Sequence, residues 1–291
     1  MDSKQIIISF VKSYLFFFEF LPYSKSMDSY ITIYLLYLYI YSFVGWVYET
    51  TFVSTREKKF INRGFMHGPF LPIYGAGALI IIFANKFSHS NGIEFFLISI
   101  VFCTFMELCT GLVMESLFKV RYWDYRKIPG NIKGYIAPPV SLFWGILALI
   151  LNYFVHPFIS HCLSYIPFRY LEIATYILTI YTAVDFTLSF VESMDLRRTL
   201  ENIAQNNKEI KKLRDALTEK RKNISINLIS LKDYTHALQI ETKNALNLKL
   251  AEMHKNNPQR SKHALNVLKR NPNAISTKYV QELKQFLKHD K

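Results

Sequence analysis

Apolar residues run in blocks of about 20 along the first two thirds of the chain, the length a helix needs to cross a hydrocarbon core of about 30 Å. The blocks fall at 30–53, 65–83, 93–118, 136–154 and 170–191. They predict an all-α, polytopic membrane helix bundle of about five spans. Residues 6–21 are also apolar, but Lys12 and Glu19 interrupt them and no small-residue cleavage site follows Pro22. That run reads as an interfacial helix or a sixth span and not as a signal peptide. The chain divides into an N-terminal helix (1–29), a transmembrane domain (30–192) and a basic helical tail (193–291).

Charge sharpens this division. The chain carries a formal +13, and the tail holds nearly all of the excess. The loop between spans one and two carries Arg56, Lys58, Lys59 and Arg63, and that between three and four carries Lys119, Arg121, Arg126, Lys127 and Lys133. The other two loops have one basic residue each, Lys86 and Arg169. The positive-inside rule therefore places both basic loops and the tail in the cytoplasm.

Within the tail, Ile203, Ile210, Leu217, Ile224, Leu231, Leu238 and Ala245 recur every seven residues. The positions three earlier are mostly polar, from Leu200 and Asn207 to Thr242. Two readings stay open: self-association through 200–245, or one amphipathic helix lying on the bundle or on anionic membrane lipid. Asn257-Pro258 and Asn271-Pro272-Asn273 mark breaks before two short helices, the second roughly 276–287. Basic residues alternate with acids and aromatics are sparse, which argues against nucleic-acid binding. Cys103, Cys109 and Cys162 have neither metal nor disulfide spacing, and no cofactor is expected.

Ionisable groups inside a bilayer cost about 2.5–3.5 kcal/mol on insertion scales, so they face the bundle interior or a wet cavity. Glu49 lies near the inner end of span one. On span three Glu107, Gly111 and Glu115 share a face, as do Asp185, Ser189 and Glu192 on span five. Such acids either pair with loop cations such as Arg63 and Arg121 or form a functional site. Helix breakers crowd the run from Asn62 through His67 to Gly75. Backbone groups freed there need protein or water partners, so the run is a structural turn or part of a binding site. Trp123-Asp124-Tyr125 and Asn131 to Gly134 form a third run, suited to interfacial anchoring, helix capping or cation binding. Gly45 and Glu49 ahead of Asn62, Gly64 and Pro69 match Gly111 and Glu115 ahead of Asn131, Gly134 and Pro138. This is the outline of a parallel internal repeat.

These motifs, in this order, resemble a bacterial membrane family named ABC-transporter type IV, or CmpB-type. The resemblance rests on Gly45-Trp46 with Glu49, on Asn62 to Gly75, on Glu107 with Thr110-Gly111, on Trp123-Asp124-Tyr125, and on Asn131, Gly134, Ser141 and Trp144-Gly145. Arg126 stands where the family pattern has a small residue. The resemblance covers about 30–151 and implies a multi-pass permease of the bacterial cell membrane. No G-x-x-x-x-G-K-[ST] loop occurs in the chain, so ATP hydrolysis would need a separate ATPase subunit.

The first expectation is a permease component in which Glu49, Arg63, His67, Glu107, Trp123, Asp124 and Asn131 contribute to a polar site open to the cytoplasm. The second is a scaffold or sensor acting through its tail. An intramembrane enzyme, with His67 paired to Glu49 or Asp124, is the third; no nucleophile, zinc or nucleotide motif accompanies that pair.

Overall fold

The computed structural model describes residues 25–85, 88, 92–222, 244, 248 and 257–289. Among them the fold is helical throughout, with only two isolated bridges and no strand. In chain order the helices are α1 (Lys25–Glu57), α2 (Pro72–Ala84), α3 (Gly92–Phe118), α4 (Pro138–Ile150), α5 (His156–Ser164), α6 (Phe168–Lys222), α7 (Pro258–Arg270) and α8 (Val280–His289). A π-helical turn, Leu151–Val155, joins α4 to α5. The run 6–21 lies outside the described residues.

Four helices are long and apolar enough to cross a membrane: Ser29–Glu57, Gly92–Phe118, Pro138–Ser164 and Phe168–Glu209. Large apolar side chains stand exposed along them, among them Val101 and Phe105 on α3 and Ile177, Ile180 and Val184 on α6. In water such a surface would be untenable; in a bilayer it is the lipid-facing side. The expected crossing at 65–83 is present only in part. Its helix, α2, has 13 residues, about 20 Å at 1.5 Å per residue. Gly64, Gly68 and Pro69 keep the preceding stretch out of helix, and Pro72, which needs no N–H partner, starts α2 at its first turn.

The spans at 136–154 and 170–191 both run longer than expected. The first continues to Ser164 through the π turn. Pro157 lies in the turn that follows, where its missing N–H and bulky ring favour a local widening of the helix. The second continues without a break into the tail, giving a 55-residue helix.

Helix α2 packs between α1 and α3, α4 lies on α3, and α6 lies against α1 and α3. Beyond the spans, the loop end of the bundle has a core of its own. Phe118, Val120 and Tyr122 meet Leu196, Leu200 and Ile203 of α6, and Val267, Leu283 and Phe286 of α7 and α8 close over them. Leu200 and Ile203 are wholly buried there. The first turns of the heptad stripe are therefore spent on this chain's own C-terminal helices. Of the later stripe positions, Ile210 and Leu217 have side chains outside the described set, and 224–245 lies outside it almost entirely.

Candidate functional site

Each of the two basic loops follows the same plan. Lys58 just past α1 and Lys119 just past α3 take left-handed backbone angles, φ 53° and 58°, which end the helix and turn the chain back. Each return ends at a proline that starts the next helix, Pro72 and Pro138. In the first unit the Tyr74 hydroxyl donates to Glu49 at 2.8 Å, and Arg63 approaches the same carboxylate at 3.7 Å. In the second, Tyr135 donates to Glu115 at 2.5 Å, and Arg121 pairs with it at 2.5 Å. Gly45 and Gly111 each lie one turn before the glutamate, and a Cβ at either would collide with the tyrosine of its unit.

Glu107 differs from Glu49 and Glu115. It is 3% exposed, and no Lys or Arg among the described residues forms an ion pair with it. Its Oε1 accepts a 3.0 Å bond from the Tyr125 hydroxyl, while its Oε2 is buried without a hydrogen-bond partner. The indole N–H of Trp144, 6% exposed, has no other partner and is directed at the same carboxyl. The Trp144 ring lies 5.5 Å from that of Tyr74, which links this spot to Glu49 and Arg63. Burial and then the adjacent Glu107 carboxyl push the Tyr125 phenol far up, so it stays an O–H donor.

The other expected site residues lie around this centre or apart from it. Trp123 donates to the Tyr135 carbonyl at 2.9 Å, and the Asn131 side chain bonds Ile128, Arg126 and Gly134 of its own loop. Gly134 in turn accepts from the Tyr125 backbone. Trp123 and Asn131 thus brace the loop that presents Tyr125. Asp124 is paired with Arg126 at 2.9 Å. Burial there is outweighed by the Arg126 hydrogen bonds, which hold the carboxyl below the usual range.

His67 stands in a second cluster, and its partners are neither Glu49 nor Asp124. Its Nδ1 lies 2.8 Å from the Ser189 hydroxyl and 3.2 Å from Asp185, and its Nε2 lies 2.9 Å from Glu192. The backbone N–H groups of His67 and Gly68 also donate to Asp185, at 2.9 and 2.7 Å. Here the irregular backbone that the sequence announces finds its partners on α6.

Sequence reasoning missed the contribution of the C-terminal segment. Arg270 pairs with Glu192 at 2.9 Å, and Asn271 accepts from Arg63 at 2.8 Å while donating to the Gly64 carbonyl at 3.0 Å. The only signal was the polar break at 271–273, which marks a helix end without saying what it touches. A groove between α6 and α7, lined by Glu192, Lys262, His263 and Asn266, lies apart from Glu107. Among the described residues no group of three or more His, Cys, Asp or Glu is arranged to hold a metal ion.

No curated protein and no solved structure matches the chain. A family profile does, over residues 36–190, which contain most of the four spans, both loop units and the Glu107 centre. That match takes in more than half of the 291 residues, and the chain belongs to the family described as Putative ABC-transporter type IV.

Proposed function

We propose that this membrane protein is a permease component whose working centre is Glu107, with Tyr125, Trp144, Tyr74, Glu49 and Arg63 around it, and that this centre is reached from the cytoplasm. The observation that carries the reading is a carboxyl 3% exposed among spans, with no Lys or Arg among the described residues paired to it and only the Tyr125 hydroxyl and the facing Trp144 indole beside it. An ionisable group inside a bilayer costs about 2.5–3.5 kcal/mol on insertion scales, and such groups are by default part of a proton or ligand site. Glu49 and Arg63 balance each other beside it, so Glu107 is the carboxyl of the site with no cation next to it. The family's name supports a transport role, and a separate ATPase subunit would provide the energy.

The test compares uptake and efflux of small molecules by membrane vesicles that carry the intact chain, Glu107→Gln or Arg63→Ala, with mass spectrometry of the contents. Loss of one flux in both variants, with the helical fold retained, is the expected result. If every flux persists in both variants, the assignment is wrong. The scaffold reading would need the tail to act on any membrane anchor. Yet residues 270–277 are bound to the two loops of this bundle, and a foreign anchor lacks those loops.

A further inference from the structure

The stretch between α7 and α8 crosses the loop end of the bundle and touches both repeated units. In the first unit it holds Arg63 and the Gly64 carbonyl through Asn271, which is 1% exposed, and the Phe65 carbonyl through Arg270 at 3.4 Å. In the second, Ile275 and Arg121 exchange a pair of backbone hydrogen bonds of 2.6 and 3.0 Å. Ser276 donates to the Lys119 carbonyl at 2.6 Å, and the Thr277 hydroxyl donates to Glu115. The segment therefore binds the cation of the first ion pair, through the Asn271 side chain, and both members of the second, the Glu115 carboxylate through Thr277 and the Arg121 backbone through Ile275.

The two loops it joins are the ones that build the Glu107 centre. Loop 58–71 brings Arg63 to Glu49, and loop 119–137 brings Tyr125 onto Glu107. Lifting Tyr125 off Glu107 means moving the second loop relative to the first, and residues 270–277 tie the two together, beside the direct bond from Arg63 to the Tyr122 carbonyl at 3.2 Å. The ties to the two loops are hydrogen bonds, which exchange for bonds to water at small net cost, and the Arg270–Glu192 ion pair holds the start of the segment to α6. The helices on either side are seated differently, by Val267, Leu268, Leu283 and Phe286 in an apolar core. A polar link between two apolar anchors is suited to letting go while its flanks stay in place.

We infer that residues 270–277 are an internal strap that closes the loop face over Glu107, so that access to this carboxyl requires the strap to release Arg63, Arg121 and Glu115. The inference rests on Glu107 being the working centre, but its test reads access and not transport. In the full chain, with Cys103, Cys109 and Cys162 replaced by serine, a Glu107→Cys reporter is exposed to a charged, membrane-impermeant maleimide. Labelling of that residue is followed by peptide mass spectrometry. One version carries Arg121→Cys and Ile275→Cys. Residues facing each other in a hydrogen-bonded antiparallel pair have Cα atoms about 5.5 Å apart, within disulfide range. Another carries Arg270→Ala with Asn271→Ala.

Labelling at least tenfold slower in the disulfide-locked chain than in the same chain after reduction is expected, with the Arg270→Ala, Asn271→Ala chain the fastest. Equal rates in the locked and reduced chain overturn the strap, and because that comparison uses one protein, misfolding of the released variant does not affect it. A strap-dependent rate without any vesicle flux would keep the strap and remove the permease reading. Flux lost on Glu107→Gln with strap-independent labelling would do the reverse.

Discussion

Gly45 and Gly111 occupy equivalent places for one reason: each leaves room for a tyrosine that reaches the glutamate one helical turn onward. Tyr74 fills the first gap and Tyr135 the second. A valine at either glycine would have to push the ring aside, and rigid spans give way little, so overpacking costs about 1–3 kcal/mol. The tyrosine hydroxyl would also leave its carboxylate. Gly45→Val and Gly111→Val are each expected to lower the thermal unfolding midpoint in detergent. Gly45→Val is expected to disturb the Glu107 centre through Tyr74, which borders Trp144, and Gly111→Val through Trp123, which braces the loop that presents Tyr125. The glycine and glutamate spacing was legible from sequence as an internal repeat. The tyrosines were not, since a loop-proximal Tyr reads equally well as an interfacial anchor. Tyr125 was missed as a site residue for the same reason, whereas its neighbours Trp123 and Asn131 were named and prove to hold its loop in shape.

Among the helices, α6 shows where pattern reading succeeds and where it stops. Its apolar block predicted a span at 170–191, which is present. The heptad stripe after it predicted a covered face, and at its start Leu200 and Ile203 are covered by α7 and α8 of the same chain. A period of seven says that one side of a helix is covered; it does not distinguish a second copy from a segment some 60 residues farther along. The short α2 was overestimated for a related reason, because a hydropathy window counts Pro69 to Leu71 as apolar whether or not they are helical. Leu200 is fully buried in the loop-end core, and truncating such a leucine costs about 2–5 kcal/mol. Leu200→Ala is thus expected to loosen α7 and α8 without unfolding the spans. Limited proteolysis checks this: cleavage within 257–289 should accelerate many-fold, while the fragment containing α1 to α5 stays intact.

For the molecule as a whole, the strap fixes a relation that charge counting could only suggest. Residues 270–277 bind Gly64 and Lys119 at once, so both basic loops lie at the same end of the bundle. The turn between α5 and α6 belongs to the opposite end. Phe168 to Glu192 rises about 36 Å at 1.5 Å per residue, a little more than a hydrocarbon core of about 30 Å, and Glu192 stands beside Arg270 at the loop end. Which end faces the cytoplasm then depends on one comparison. The loop end carries Arg56, Lys58, Lys59, Lys127 and Lys133, and the excess of Lys and Arg near span ends keeps a segment on the inner side. In a cysteine-free chain, Tyr165→Cys, exposed at the far turn, should react with an impermeant maleimide on intact cells. Lys127→Cys should react only after the membrane is opened. The reverse pattern would turn the Glu107 centre outward and change what can reach it, from cytoplasmic solutes to those outside. The packing would be untouched, because nothing in the helix contacts depends on which side is in.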